Sequence, residues 1–230
     1  MEPRHKLHAP SPSPLVNWQF GSNAAGHMNK VTITEEQAEA LIAADLKKIG
    51  ITAKSPWHFV DEYYRLPWNR EIAEILARHI NKPYPDRVIH GILTVAGRPE
   101  TRDLLLKPAA DLMRQRDGGY LGQFAANAIV RMVNAKDVSL LKELLLDENI
   151  GVSRALLMGI FVKLAKKDSE RVLMLLANQP KVGVFALQAL SKLGSQSIRP
   201  MLEKLLKSVD LPTREIAKNS LKVLNKKTMN

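Results

Sequence analysis

The sequence contains no cysteine among its 230 residues. That absence excludes thiol nucleophiles, thiolate metal centres, iron–sulfur clusters and disulfide bonds. Because disulfides belong to oxidising compartments, we expect a cytoplasmic protein. No apolar run approaches the roughly 18–20 residues that a membrane helix requires, and residues 1–27 lack the apolar segment of a secretory signal. With 45% hydrophobic residues, the chain has enough apolar side chains to bury a globular core.

Negative charge is also in short supply, since 34 Lys and Arg against 23 Asp and Glu give a net charge of +11. The excess is uneven: residues 1–27 contribute +1, residues 28–85 are neutral, and residues 86–230 contribute +10. A basic surface of this size indicates an acidic partner or a phosphate backbone. A surface that serves only solubility is the alternative.

Recognisable catalytic motifs are missing as well. The sequence has no Walker loop, no GxSxG nucleophile elbow and no HExxH pair. Of its histidines, three lie in the first 27 residues, and His58, His79 and His90 stand alone, as expected of helix-surface or core residues. We therefore predict a protein that is not an enzyme and that holds no cofactor and no metal.

The first 27 residues differ in composition from the rest of the chain. Prolines alternate with serines at positions 10–14, and residues 21–28 read as a Gly- and Ala-containing linker ahead of Met28. Between them, Leu15, Trp18 and Phe20 have the character of anchors in a short linear motif. Residues 11–20 are thus interpreted either as a tethered partner peptide or as tag sequence, and residues 1–27 are excluded from the predicted fold.

Apolar residues recur at three- and four-residue spacing from Thr34 onward, with no sustained alternation of period two. This periodicity predicts an all-α fold. The sequence Thr34–Gln37 has the form of a capping box and Gly50 that of a helix stop. Prolines then divide the chain into short helices. The predicted helices cover 34–50, 56–66, 69–81, 86–96, 100–116, 120–134, 137–146, 152–166, 169–178, 182–193, 197–208 and 213–226.

Internal repetition is the strongest pattern in the second half of the chain. Similar four-residue blocks begin at Ile129, Phe161, Leu190 and Leu221, and leucine pairs recur at 144–145, 175–176 and 205–206. Two helices in each unit of about 30 residues cannot bury their apolar faces alone, so neighbouring units must stack. We therefore predict a right-handed α-solenoid over 86–230, closed by an irregular helical N-terminal cap over 28–85.

The repeated units resemble the HEAT-repeat family. Residues 198–217 carry the family's first-helix proline at Pro200, its turn aspartate at Asp210 and its second-helix arginine at Arg214. The unit over Leu140–Ala165 keeps Asp147 and Arg154 but lacks the proline. The resemblance covers roughly residues 100–226. It implies a scaffold or adaptor in which the second helix of each unit lines a concave face, although some similar solenoids are DNA glycosylases.

Helical phase then predicts which side chains line that face. Positions one, five, and eight or nine residues after the arginine position fall on one exposed stripe. In this stripe, amides could bind an extended backbone, basic side chains would form a parallel row of charge, and Gly159 would leave room for a bulky group. The predicted partner-binding residues are Asn127, Arg131, Gly159, Lys163, Gln188, Lys192, Asn219 and Lys222.

Half of the chain's aromatic residues lie between positions 57 and 84: Trp57, Phe59, Tyr63, Tyr64, Trp68 and Tyr84. Most of this cluster is expected to form the packed N-terminal cap. The alternative is a base-stacking or catalytic pocket, in which Trp57 or Trp68 would act beside Asp61 or Glu62.

Two hypotheses about function follow. The first is a non-enzymatic adaptor that binds an extended segment of a partner protein along the basic, amide-lined face. The alternative is a nucleic-acid-binding protein, with or without glycosylase-like repair chemistry, in which residues 86–230 with their net charge of +10 would meet phosphates. One basic residue per unit, interrupted by Glu215, argues against the second hypothesis.

Overall fold

The computed structural model describes residues 33–61, 68–115 and 119–228. Within these ranges every regular element is a helix and no strand occurs, so the predicted all-α fold class is confirmed. Twelve α-helices, α1 to α12, lie in the described ranges: Glu35–Lys47, Pro56–Asp61, Arg70–His79, Asp86–Ala96, Arg102–Gln115, Tyr120–Met132, Val138–Leu146, Met158–Ala165, Ser169–Ala177, Gly183–Leu193, Arg199–Leu205 and Leu211–Thr228.

Local sequence explains where several helices begin and end. The Thr34 hydroxyl accepts a hydrogen bond from the Gln37 amide, and the Gln37 side chain accepts one from the Thr34 amide, so the predicted capping box starts α1. Asn69 caps α3 in a similar way through the Ile72 amide. At the end of α10, Gly194 adopts a left-handed conformation with φ of 89° that favours glycine.

Short 3-10 turns precede four of the helices, a repetition that the sequence pattern did not predict. They span Pro99–Thr101 before α5, Ala135–Asp137 before α7, Lys166–Asp168 before α9 and Gln196–Ile198 before α11. Helices α7, α9 and α11 begin 31 and 30 residues apart. The structural period therefore equals the spacing of the sequence repeats.

Several predicted helices differ from the structure at their boundaries. The helix expected over 152–166 starts as a 3-10 segment, Glu148–Leu157, with a break at Gly151, and becomes α-helical only at Met158. The last helix begins at Leu211 rather than 213, because Pro212 is tolerated in a first turn. The helix predicted over 56–66 is seen as far as Asp61, and its remainder lies outside the described residues.

The helices pack around a core that extends through the whole described region. Buried apolar side chains form one cluster from Ala38 in α1 to Leu224 in α12. Even-numbered helices contact one another in succession: α2 with α4, α4 with α6, α6 with the segment Glu148–Leu157, α8 with α10, and α10 with α12. We call this row of helices the even-helix layer. None of the helices in the described ranges is both long and apolar enough to span a bilayer.

Candidate partner-binding surface

The predicted partner-binding residues all lie on the even-helix layer. Helix α6 carries Asn127 and Arg131, α8 carries Gly159 and Lys163, α10 carries Gln188 and Lys192, and α12 carries Asn219 and Lys222. Gln188 is half-buried and the other seven are exposed. All eight therefore belong to helices of the even-helix layer, and seven of them are exposed.

Three of these residues line a single depression between α8 and α10. Gly159, Gln188 and Lys192 border a cavity of about 140 Å³. Its remaining wall is largely apolar: Ala155, Met158, Val162, Phe185 and Ala189. We call this depression the α8–α10 cavity.

Three features determine what the α8–α10 cavity can bind: the open space at Gly159, the Gln188 amide and the Lys192 charge. A Cβ atom placed on Gly159 would have nothing within 4 Å. Among the described residues, the Gln188 side chain has no hydrogen-bond partner and the Lys192 ammonium has no ion-pair partner. Because both groups remain available beside apolar walls, the cavity can accept a side chain while the amide binds a backbone group.

The other five predicted residues do not line this cavity. Arg131 lies toward the end of α4, since a Cβ on Gly97 would be 3.5 Å from its Cδ. Asn127, Lys163, Asn219 and Lys222 are on the exposed faces of their helices. In the described part of the chain, the four basic residues of the stripe, Arg131, Lys163, Lys192 and Lys222, make no ion pairs.

The arginines that carry the family resemblance bind backbone carbonyls. Arg154 is 3% exposed, and it donates from Nη1 to the Leu145 carbonyl at 3.0 Å and from Nε to the Gly151 carbonyl at 3.1 Å. Arg214 donates from Nη1 to the Ser208 carbonyl at 2.7 Å. Both side chains satisfy carbonyls at the end of one helix or in the turn that follows it.

The turn aspartates act as caps. The Asp210 carboxylate accepts from the Thr213 amide at 2.9 Å, and hydrogen bonds from Thr213 lower the pKa of Asp210. Asp147 accepts from the Asn149 amide at 3.1 Å. These side chains therefore help to fix the start of the segment that follows each turn.

The aromatic residues of the N-terminal section are mostly packed. Phe59 and Tyr84 are buried, the Trp57 ring meets His90 edge-on at 4.7 Å, and the Arg98 guanidinium lies 4.4 Å from the centre of the Trp68 ring. Both tryptophans thus pack against other side chains of the protein. Tyr63, Tyr64 and Glu62 lie outside the described residues, as do the proposed anchors Leu15, Trp18 and Phe20.

A buried polar cluster joins α1 to the end of α3. His79 is 1% exposed, its Nε2 lies 3.1 Å from an Asp45 oxygen and its Nδ1 lies 2.7 Å from the Tyr84 hydroxyl. Neutral His79 satisfies this geometry when Nε2 donates to Asp45 and Tyr84 donates to Nδ1. Burial lowers the pKa of His79, while hydrogen bonds from Lys48 and His79 lower the pKa of Asp45 to about 2.

A second ring cluster was not anticipated from the sequence. The Tyr120 hydroxyl lies 2.6 Å from His90 Nδ1, and the Phe124 ring packs against the same histidine. Burial lowers the pKa of His90. These residues come from α4 and α6 and are 30 positions apart, so no local spacing in the sequence could have paired them.

Within the described ranges, no three His, Asp or Glu side chains are grouped as metal ligands would be. Comparison of the chain with protein-family models, with curated proteins and with solved structures gave no match. The geometry of the even-helix layer is therefore the basis for the function proposed below.

Proposed function

We propose that the chain is a HEAT-like, right-handed α-solenoid adaptor that binds an extended segment of a partner protein along its even-helix layer. Three features support this architecture: the 31- and 30-residue spacing of α7, α9 and α11, the successive contacts of the even helices, and the arginine–carbonyl bonds. Stacked helical repeats commonly present extended binding surfaces of this kind.

The α8–α10 cavity is the observation that carries the functional proposal. Gly159 keeps one position of α8 clear, and the Gln188 amide faces the same space with no partner among the described residues. An extended peptide could place a side chain over Gly159 and exchange backbone hydrogen bonds with Gln188. Lys192 at the same cavity would pair with a carboxylate of the partner.

The test compares two triple charge reversals in the full-length chain. Partner proteins are captured from a lysate, identified by mass spectrometry, and their affinity is then measured with purified components. Replacing Arg131, Lys163 and Lys192 by Glu should abolish binding, because all three lie on the even-helix layer. The matched control replaces Lys142, Arg171 and Lys207, which are exposed on α7, on α9 and just after α11, and it should bind like the parent chain.

Folding of both variants is checked by circular dichroism, since exposed substitutions usually change stability by less than about 0.5 kcal/mol each. Equal affinity in the two triple variants would refute binding on the even-helix layer. A further variant, Gly159→Leu, fills the α8–α10 cavity without changing charge and should also weaken binding.

Nucleic-acid binding is distinguished by its salt dependence. A protein that contacts about six phosphates loses on the order of a thousandfold in affinity between 50 and 200 mM salt. We expect no such high-affinity, salt-sensitive gel shift with duplex DNA, because the stripe supplies only one basic residue from each of α6, α8, α10 and α12.

A further inference from the structure

A larger cavity lies where the ends of four helices meet, apart from the α8–α10 cavity. The end of α9, the start of α10, helix α11 and the start of α12 enclose about 460 Å³, a volume typical of ligand sites. Helix α10 borders both cavities, but no residue lines both. We call this second site the α9–α12 cavity.

Apolar side chains form much of its wall. Val184 and Leu187 from α10 face Met201 and Leu205 from α11. Val184, Met201 and Leu205 are only partly buried, so a bulky apolar group in the cavity would remove this surface from water.

One wall carries a hydrogen-bond acceptor that lacks a donor. Gln179 donates from Nε2 to a Glu148 oxygen at 2.8 Å, which assigns the orientation of its amide. Its Oε1 atom is buried and has no hydrogen-bond partner in the structure. Buried acceptors are normally paired, and this oxygen becomes open to a ligand N–H group only when the Gln179 side chain turns toward the cavity.

Charge distinguishes the two ends of the cavity. Lys204 lines it, is exposed, and forms no ion pair with any described residue. Residues 199–228, which include α11 and α12, hold eight Lys or Arg against three Asp or Glu. Glu148 lies next to Gln179 at the other side. An acidic ligand group would therefore be attracted to Lys204 and repelled from the Gln179 side.

We propose that the α9–α12 cavity is a second peptide-binding site, which recognises a bulky apolar residue flanked by an acidic one. The apolar side chain enters among Val184, Leu187, Met201 and Leu205. The acidic side chain pairs with the Lys204 ammonium, and a backbone N–H of the peptide donates to Gln179 Oε1 once the Gln179 side chain turns toward the cavity. The α9–α12 cavity shares no lining residue with the α8–α10 cavity, so the two sites can be tested independently.

The probe is a fluorescein-labelled peptide, Gly-Ser-Glu-Asp-Phe-Glu-Asp-Ser-Gly, titrated with the full-length chain at constant ionic strength. Two control peptides carry Ser in place of Phe, or Gln and Asn in place of the acidic residues. We expect the probe to bind in the micromolar range and both controls to bind at least about tenfold more weakly. Binding that depends on charge but not on Phe would overturn the proposal, because it indicates only a basic surface.

Four variants locate the bound peptide. Lys204→Glu removes the cationic partner and Val184→Phe fills the cavity. Each should therefore lower the affinity for the probe peptide by about tenfold or more. Lys142→Glu, an exposed reversal on α7, and Gly159→Leu, which fills the α8–α10 cavity, should leave the affinity unchanged. If Val184→Phe does not fold, the exposed Lys204 variant still decides the question. Unchanged affinity in Lys204→Glu, or loss in Gly159→Leu, would overturn the assignment to this cavity.

Discussion

Buried polar groups are satisfied in different ways in the two halves of the molecule. In the N-terminal section, α1 to α4, His79 lies between Asp45 and Tyr84 and is matched to them in its neutral form. In the repeat section, α5 to α12, the guanidinium of Arg154 binds the carbonyls of Leu145 and Gly151. Both arrangements connect separate segments through a buried side chain.

The difference lies in how these groups respond to protons. Histidine titrates close to neutral pH, whereas arginine keeps its charge throughout the physiological range. In the repeat section, Arg102 also pairs with Asp137 across 35 residues, with Nε donating to the carboxylate at 2.8 Å. The N-terminal section should therefore be the acid-sensitive part of the molecule, and the repeat section should depend on its arginines.

The largest effect is expected for Arg154→Met, which removes the buried guanidinium that donates to the Leu145 and Gly151 carbonyls. We expect the free energy of unfolding to fall by about 3 kcal/mol, measured by urea unfolding followed with circular dichroism. Arg214→Met is the matched control, because Arg214 makes a similar bond to Ser208 but is only partly buried. It should cost about 1 kcal/mol, and equal losses would show that burial of Arg154 is not the decisive feature.

The corresponding change in the N-terminal section is His79→Phe. The Tyr84 hydroxyl would lose its partner inside the core, so we expect a loss of about 2 kcal/mol at pH 7.5. Tyr84→Phe, which removes the hydroxyl itself, should cost about 1 kcal/mol. A histidine variant as stable as the parent chain would contradict the proposed role of the buried cluster.

Local patterns account for what the sequence predicted correctly. The apolar period and the turn residues place α7 and α9 within one or two residues, because both signals are carried by neighbouring positions. Helical phase also put Gly159, Gln188 and Lys192 on one stripe, and all three line the α8–α10 cavity. Their role in binding stays a prediction.

Contacts between distant positions account for what sequence reasoning missed. Asp45 and His79 are 34 residues apart, and the α9–α12 cavity is formed by the ends of four helices. None of the eight predicted partner-binding residues lines that cavity, because the stripe was derived one helix at a time. Periodicity within a helix carries no information about which helix ends meet.

The pH dependence of the free energy of unfolding also distinguishes the two sections, and its expected size is smaller than the effects of the substitutions above. Burial lowers the pKa of folded His79 below its ordinary value of 6.5, so the unfolded chain binds more protons just below that pH. The stability that neutral His79 contributes is fully present above about pH 6.5, and it is lost as the pH falls toward the lowered pKa. His90, whose pKa burial also lowers, contributes in the same direction.

The measurement is the free energy of unfolding at several pH values between about 7.5 and 5. His79→Gln should flatten the dependence, leaving the part due to His90, whereas Arg154→Met should lower every value and keep the slope. The groups that act on His79 are Asp45, Lys82 and Arg78, and the last two remain charged over this range. If His79→Gln leaves the slope of unfolding free energy against pH unchanged, the N-terminal section is not the acid-sensitive part of the molecule.

The smallest effect concerns two glycines that lie within helices, one in each section. Gly159 in α8 faces open space, so Gly159→Ala should raise the free energy of unfolding by about 0.5–1 kcal/mol through helix propensity alone. A Cβ on Gly91 in α4 would instead lie 2.9 Å from the Pro56 Cβ and 3.2 Å from Trp57 Nε1. Gly91→Ala should therefore lower stability by about 1 kcal/mol, because overpacking exceeds the gain in propensity.

The two alanine variants are compared by thermal unfolding and by affinity for the captured partner. Gly91 is required by packing, whereas nothing in the packing of α8 requires Gly159. If space at Gly159 serves a bound side chain, Gly159→Ala should be more stable than the parent chain and bind more weakly, and Gly159→Leu should bind more weakly still. A Gly159→Leu variant that keeps full affinity would leave the glycine without a role in the α8–α10 cavity, and the binding surface would then have to lie elsewhere on the even-helix layer.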